Sequence, residues 1–354
     1  MPFFSIIIPV YNAKAFLDEC LASLFNQSFP DWQALCIDDG STDGGDALLE
    51  EYARKDGRVV VIHQENEGVG AARNKGLELA QGSWILFLDA DDTFVPWAFE
   101  SIANCIASNP CLDFLVFKAQ HVSDMSIALP QRPCRPLDLE CLAIADADSA
   151  RVAYSRLYGS LFAWGACHRR DFLKDIRFAS YPNGEDVLFG YDCVSHAKRI
   201  GFVDSEYYRY RITRAGSASA PSLRNLQSCC DNIAEWHRIT SKWQYRDAVH
   251  DITKRKWRIR ICGVMYQILV RLDRRSRRKG KALLLDFLRE QKRQTPYNFT
   301  SWSRFWITVA SATDSLFPFS VFVYLPFRCQ VLLLKLPTIR NASNWLKKAR
   351  GNAR

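Results

Sequence analysis

Hydrophobic and polar positions alternate along the chain in blocks that change period. Phe4 to Val10 is a short, β-rich apolar run (Ser-Ile-Ile-Ile-Pro-Val) that ends in Tyr11-Asn12. Residues 14–26 then place Phe16, Cys20, Leu21 and Leu24 at helical spacing. After Pro30, Gln33 to Ile37 reads as a second strand. It ends in Asp38-Asp39-Gly40-Ser41-Thr42-Asp43, whose glycine and short polar residues suit a tight turn and a helix start. A helix to about Arg54 follows, then a strand from Val59 to Ile62. Asn66-Glu67-Gly68-Val69-Gly70-Ala71-Ala72-Arg73-Asn74 opens a helix to Ala80, which Gly82 closes.

The run Trp84-Ile85-Leu86-Phe87-Leu88 is apolar throughout and meets Asp89-Ala90-Asp91-Asp92 at its end. Such a run reads as a strand buried on both faces, with carboxylates at its carboxyl end, where open α/β sheets place ligands. A helix from Pro96 to about Ser108 and a strand from Asp113 to Phe117 follow. Strands alternating with helices predict a parallel α/β sheet with right-handed crossovers. Residues 123–148 carry prolines without a clear period and read as an excursion. Helical spacing returns at 149–158. Glu185-Asp186 opens an apolar helix after Gly184, and Gly201 to Tyr210 reads as a strand leading to Arg211 and Arg214.

From about Leu223 the texture becomes helical and basic. Trp257, Ile261, Met265, Ile268 and Leu272 form a stripe, with Arg255, Arg258, Arg274, Arg275, Arg277 and Arg278 beside it. Residues 302–336 are aromatic and aliphatic but interrupted by Arg304, Asp314, Pro318, Pro326 and Arg328. They stay short of the roughly 20 apolar residues of a spanning helix. Two readings stand here, an anchor lying on a membrane surface and a helical lid on the core.

Charge separates the same two regions. Of the 47 Lys and Arg and 38 Asp and Glu, residues 251–354 hold 23 and 5, so the acidic excess lies in the rest of the chain. The basic part is expected to meet an anionic partner, with a membrane surface and a nucleic acid as the two classes. A nucleic-acid-binding protein would leave the acidic clusters unused, so no nucleic acid is expected. With 354 residues, nearly half of them hydrophobic, the chain can bury a sizeable core. The 12 cysteines show neither a C-x-x-C pair nor zinc-ligand spacing and read as buried reduced thiols. Residues 1–5 lack a basic region and a long apolar core, so a cytoplasmic protein, peripheral on the membrane's cytoplasmic face, is expected.

The carboxylates Asp89 and Asp91, with small Ala90 between them, repel one another unless a cation or donors are near. Mg²⁺ or Mn²⁺ shared with a substrate phosphate suits such a site. The alternative is a solvated acidic turn in which Asp92 caps the next helix.

Four stretches carry a resemblance: Ser5-Ile-Ile-Ile-Pro-Val-Tyr-Asn12, Asp38-Asp-Gly-Ser-Thr-Asp43, Asn66 to Asn74, and Leu88-Asp-Ala-Asp-Asp92. In this order and spacing the chain resembles the family 2 glycosyltransferases of the GT-A fold, strongly over the first 120 residues and more weakly to Ser219. The resemblance implies a Rossmann-like, mostly parallel sheet flanked by helices. It divides residues 1–220 into a nucleotide-sugar-binding half (1–120) and an acceptor-binding half (121–220), and the texture and charge of the rest make it a helical basic, membrane-associating extension (221–354). It further implies a nucleotide-diphospho-sugar donor, a uridine one by family habit, a divalent metal, and inverting transfer to a glycan or lipid-linked acceptor of the cell surface.

Carried over residue by residue, Pro9 and Tyr11 line the base pocket and Asp39 accepts a hydrogen bond from the base. Asp38 supports the turn or exchanges roles with Asp39. Arg73 sits near the nucleotide, Asp89 faces the ribose or a metal water, and Asp91 bridges metal and diphosphate, with Asp92 assisting. Asp186 matches the catalytic base and Glu185 orients it; helix capping is the alternative for the pair. Trp164 stacks on a sugar or packs, and the lysine that often follows it two residues later in the family is replaced by Ala166. Arg211 and Arg214 are candidates to clamp the diphosphate or are surface arginines. His168 reads as a core or surface histidine. The Gln-x-x-Arg-Trp signature of processive synthases is absent, which favours transfer of a single sugar. A nucleotidyltransferase is the other enzyme reading, but its Gly-rich basic loop after the first strand is replaced here by Tyr11-Asn12-Ala13.

Overall fold

The computed structural model describes residues 1–130, 132, 139–157, 162–180, 184–212, 222–245 and 247, with isolated positions between 273 and 286. In chain order the elements are β1 (Phe4–Val10), α1 (Lys14–Phe25), β2 (Trp32–Asp38), α2 (Gly45–Lys55), β3 (Val59–His63), α3 (Val69–Leu79), β4 (Trp84–Phe87), β5 (Thr93–Phe94), α4 (Ala98–Ser108), β6 (Phe114–Val122), β7 (Leu139–Ala143), α5 (Ala147–Leu157), β8 (Ala166–Arg169), α6 (Glu185–His196), β9 (Arg199–Arg211) and α7 (Leu223–Ser241). Residues 1–218 with 231–253 make one compact unit, and 219–230 with 254–354 a second. Of the basic residues named beside the stripe only Arg275 is among the described residues; the rest, the stripe itself, the aromatic segment 302–336 and Arg214 lie outside them.

One sheet organises the first unit, in the order β3-β2-β1-β4-β8-β6-β9-β5, with β7 on β9. The half from β3 to β4 is parallel, as the alternation predicts. β1 is at its centre because Phe4, Ile6, Ile7 and Ile8 have no exposed surface on either face. Strand order reverses between β1 and β4, so the crevice at their carboxyl ends is a topological switch point. Tyr11-Asn12 and Asp89 to Asp92 follow those ends directly.

The other half departs from the parallel expectation. β8 enters antiparallel between β4 and β6, with Ile85 opposite His168 and Leu115 opposite Cys167. β7 forms inside the stretch read as an excursion and pairs antiparallel with β9. β6 runs five residues beyond Phe117 because β9 supplies its ladder in parallel, through register shifts around Lys118. The sheet is therefore mixed. Cys20, Cys36, Cys105, Cys167, Cys193 and Cys230 are buried free thiols, whereas Cys111 and Cys141 are exposed. His168 is a core histidine, held mostly neutral because burial pushes its pKa down to about 3.

Helix α3 packs unusually close to the sheet. A Cβ on Gly76 would lie 2.4 Å from Ile7 Cγ2, so only glycine permits this spacing.

Candidate active site

The loops after β1 and β2 are tied together. Asn12, in a left-handed conformation (φ 47°), accepts Thr42 N–H at 2.8 Å, and its own N–H donates to Ser41 Oγ. Asp38 accepts Ser41 N–H at 3.0 Å, and its Oδ2 lies 2.9 Å from His63 Nδ1. Burial raises its pKa, but the Ser41 and His63 hydrogen bonds outweigh that and hold it below the usual carboxylate range. Asp38 is thus a turn-building residue. Asp39 is buried and accepts Gln64 Nε2, Glu67 N–H and Gly68 N–H at 2.8–2.9 Å. It fixes the chain entering α3. Pro9 is half-buried, and Tyr11 stands 49% exposed at the mouth of the crevice.

The Asp89 to Asp92 turn divides its carboxylates. Asp92 is 1% exposed and does not cap α4. Its Oδ2 accepts Tyr208 O–H at 2.7 Å and its Oδ1 accepts Arg211 N–H at 2.7 Å. Desolvation, then the charges of Asp89 and Asp91, push its pKa up to about 8. The Tyr208 hydroxyl also accepts Asp89 N–H at 3.0 Å, so one phenol holds both ends of the turn. Arg211 Nε donates to the Asp91 carbonyl at 3.0 Å and Nη2 pairs with Glu19. Ala90 is buried, while Asp89 and Asp91 are half-buried.

Arg73 joins this turn to the other half of the sheet. Its guanidinium, 4% exposed, reaches Asp89 Oδ1 at 2.8 Å and Glu185 Oε1 at 2.6 Å. Burial opposes its charge, but Asp89 and Glu185 overcome this and raise its pKa. Glu185 and Asp186 form the first turn of α6, after Gly184 in the left-handed region (φ 81°). Asp186 Oδ1 accepts Val187 N–H at 2.8 Å inside that first turn, while the cap position itself is Gly184 and carries no side-chain cap bond. Burial, then repulsion from Glu185, push its pKa up to about 7 against the pull of Arg73.

Trp164 is buried and lies in an aromatic stack, 4.8 Å from Tyr208 and 4.8 Å from Phe162, with Tyr210 at 5.3 Å. Its indole thus backs the hydroxyl that holds Asp92. The structure brings Asp89, Arg73, Glu185 and Asp186 together on one side, and Asp92, Tyr208, Arg211 and Trp164 on the other. The sequence reading missed the roles of Tyr208 and Glu19; Tyr208 was visible only as one position of the strand read from Gly201 to Tyr210.

A divalent metal can be weighed on the donor set. Among the described residues no three His, Cys, Asp or Glu side chains cluster as a closed ligand set. Asp89 and Asp91 offer hard oxygens at the crevice, and their charges are strong enough to raise Asp92. That fits Mg²⁺ or Mn²⁺, which bind through one or two carboxylates plus substrate phosphates, and does not fit an all-protein cage.

Comparison with known proteins bears on the same residues. Residues 5–126 match the model described as glycosyl transferase family 2. The chain is 30% identical over 222 residues to the uncharacterized glycosyltransferase EpsJ of Bacillus subtilis, covering 60% of this chain and 61% of that one. It is 30% identical over 229 residues to the minor teichoic acid biosynthesis protein GgaB of the same organism, covering 62% and 24%. The chain thus spans about 61% of the length of the first curated relatives it matches. Among solved structures, S. aureus TarS 1-349 in complex with UDP-GlcNAc shares the fold at a TM-score of 0.60 and 21% identity, covering 88% of this chain and 89% of that one. The stretch that matches the glycosyl transferase family 2 model, residues 5–126, holds both acidic turns and Arg73.

Proposed function

We propose that the protein is an inverting glycosyltransferase that moves one sugar from a UDP-sugar to a hydroxyl of a glycan or lipid-linked acceptor in cell-surface polysaccharide synthesis. The observation that carries this reading is the bridge Asp89–Arg73–Glu185, which sets a metal-type carboxylate turn beside a second acid pair. The relatives' family and the teichoic acid role in the name of GgaB support the class of product. The UDP-GlcNAc in the TarS crystals supports a uridine donor.

In this reading Tyr11 offers its exposed ring to the base beside Pro9, and the Asp38-Asp39 turn closes that pocket. Asp89 and Asp91 hold Mg²⁺ or Mn²⁺. When bound, the ion neutralises the charge on the leaving diphosphate. Asp186 takes the proton of the acceptor hydroxyl; a carboxylate whose pKa lies near neutrality balances basicity against readiness at working pH. Glu185 is held by Arg73 and orients the first turn of α6. Arg211 steadies the Asp91 main chain beside the diphosphate, and Arg214 is the second candidate to clamp it. Trp164 shapes the acceptor side through its stack. Residues 221–354 hold the protein on an anionic membrane surface. Among the described residues, no helix is long and apolar enough to cross a membrane.

The test is a thermal-shift series with UDP, UDP-glucose and UDP-GlcNAc, each with Mn²⁺ or EDTA. A ligand that binds only the native state raises the melting temperature, by ~2.7 kcal/mol of stability at a hundredfold excess over Kd. UDP with Mn²⁺ is expected to raise it, and Asp91→Asn to lose the Mn²⁺-dependent part. No shift with any uridine ligand, or an undiminished shift in Asp91→Asn, refutes the reading.

A further inference from the structure

Three residues on one face of α3 touch the segment that leads into Asp186. Gly70, Arg73 and Asn74 are related as i, i+3 and i+4, so they share a helix face. Asn74 Nδ2 donates to Phe178 O at 2.9 Å, and Phe178 N–H donates back to Asn74 Oδ1 at 2.9 Å. Both main-chain groups of Phe178 are thereby satisfied by one side chain. A Cβ on Gly70 would stand 2.7 Å from the Ala179 carbonyl, so the segment lies against bare helix backbone. Arg73 grips Glu185 further along, and its guanidinium lies 5.3 Å above the Phe178 ring.

The grip reaches α6 by two routes. One is the Arg73–Glu185 ion pair at its first residue. The other is the Phe178 ring, which stacks on Phe189 of α6 at 4.0 Å and 4° and meets Phe87 of β4 edge-on at 5.2 Å. α3 itself cannot drift, because Gly76 presses it onto Ile7 of β1 and Asp39 holds the chain at its entry. One helix is therefore keyed to the donor-side loops at one end and to the base-bearing segment along its face.

We propose that Gly70, Arg73 and Asn74 are positioning residues that fix the first turn of α6 against Asp89, and so set where the Asp186 carboxylate meets the acceptor. This rests on the reading of Asp186 as base. Asn74 uses its amide on the Phe178 main chain, so it acts on the reaction only through the position of Phe178 and of what packs on that ring, α6 first among them. A packing lock without this role would lower stability and leave the turnover of the folded protein unchanged.

The experiment uses the full chain and the variants Asn74→Ala, Asn74→Ser and Arg73→Lys. Serine keeps one hydrogen-bonding oxygen; lysine keeps the charge but not the two-pronged bridge. Three quantities are measured: amide hydrogen exchange over residues 185–189 without ligand, affinity for UDP with Mn²⁺, and UDP release from UDP-GlcNAc. In Asn74→Ala, exchange at 185–189 is expected to rise about tenfold while β1 and β4 stay protected. UDP affinity should hold, and UDP release should fall up to about 10²-fold, the cost of a displacement near 1 Å. Asn74→Ser should fall between Asn74→Ala and wild type and carries the test if Asn74→Ala does not fold; Arg73→Lys is read by exchange at 185–189 alone, because Arg73 also pairs with Asp89. Wild-type exchange at 185–189 in the folded variants overturns the proposal, as does a loss of UDP affinity equal to the loss of rate. A wild-type protein that neither binds nor releases UDP instead overturns the glycosyl-transfer reading, and the exchange data still report on the clamp.

Discussion

Tyr208→Phe removes one oxygen atom and leaves the ring in its stack on Trp164. That oxygen accepts Asp89 N–H at 3.0 Å and donates to Asp92 Oδ2 at 2.7 Å. Without it, a main-chain N–H at the acidic turn loses its partner, which costs ~1–3 kcal/mol, and a carboxylate loses one of its donors at ~1.5–3 kcal/mol. The second loss is reduced because Asp92, with its pKa pushed up to about 8, is largely protonated at neutral pH and can turn its own proton elsewhere. A net destabilisation of ~2 kcal/mol is expected, or ~4–8 °C in melting temperature for a unit of this size. The loosened Asp89 main chain should also weaken Mn²⁺-dependent UDP affinity, by about tenfold for a further ~1.4 kcal/mol. Differential scanning calorimetry and titration calorimetry measure the two effects. Tyr52→Phe is the control, since its hydroxyl bonds Asp18 at an exposed site far from the turn. Wild-type stability and wild-type UDP affinity in Tyr208→Phe would show that the phenol does not hold the turn.

Asp186→Asn should lower UDP release by roughly 10²–10⁴ with UDP affinity unchanged, because the base faces the acceptor; a normal rate there with an inactive Glu185→Gln moves the base back by one residue. His63 lies between Asp38 and Glu50, and their hydrogen bonds raise its pKa above 6.5. Its stabilising contribution is therefore complete below pH 6.5 and disappears as pH rises through the raised value. His63→Gln should flatten the decline of melting temperature in that window, and an unchanged slope counts against it. The full chain should sediment with phosphatidylglycerol vesicles at low salt and be released by added salt; equal binding to neutral vesicles counts against the basic extension as the anchor.

The sequence made the parallel half legible for a physical reason. β1, β2 and β4 are covered on both faces, so burial forces continuous apolar runs, and the ligand-side loops begin where those runs stop. β8 gave no such signal. Ala166-Cys167-His168-Arg169 carries neither a β-branched residue nor a period, and it becomes a strand because two neighbours offer ladders. β7 was hidden likewise, since it is half exposed and pairs on one side only. At the site, the acidic turns were readable as motifs, but the geometry of Arg73 was not. Its resemblance-based place is beside the nucleotide, and motif and spacing gave no sign that its guanidinium joins Asp89 to Glu185, a residue 112 positions away. Asn74 stood in the same quoted stretch without a role, because its partner is the main chain of Phe178, and a backbone partner leaves no trace in residue type.

The irregular half of the sheet also explains why the turn after β4 is supported as it is. β5 is only two residues long, yet it pairs antiparallel with β9, Thr93 opposite Arg209 and Phe94 opposite Tyr208. That register starts one residue after Asp92. It brings the β9 main chain alongside the acidic turn, so the Tyr208 hydroxyl and the Arg211 N–H both reach the Asp92 carboxylate. A slip of one residue would turn Tyr208 to the opposite face of the sheet and take its hydroxyl away from Asp89 and Asp92. Arg209, 5% exposed, pins the register from the other side by donating to Gln120 Oε1 at 3.1 Å and to the carbonyls of Met125 and Ile127. The acidic turn is thus held by strand pairing set some 115 residues later in the chain, through one phenol that bonds both the Asp89 main chain and the Asp92 carboxylate.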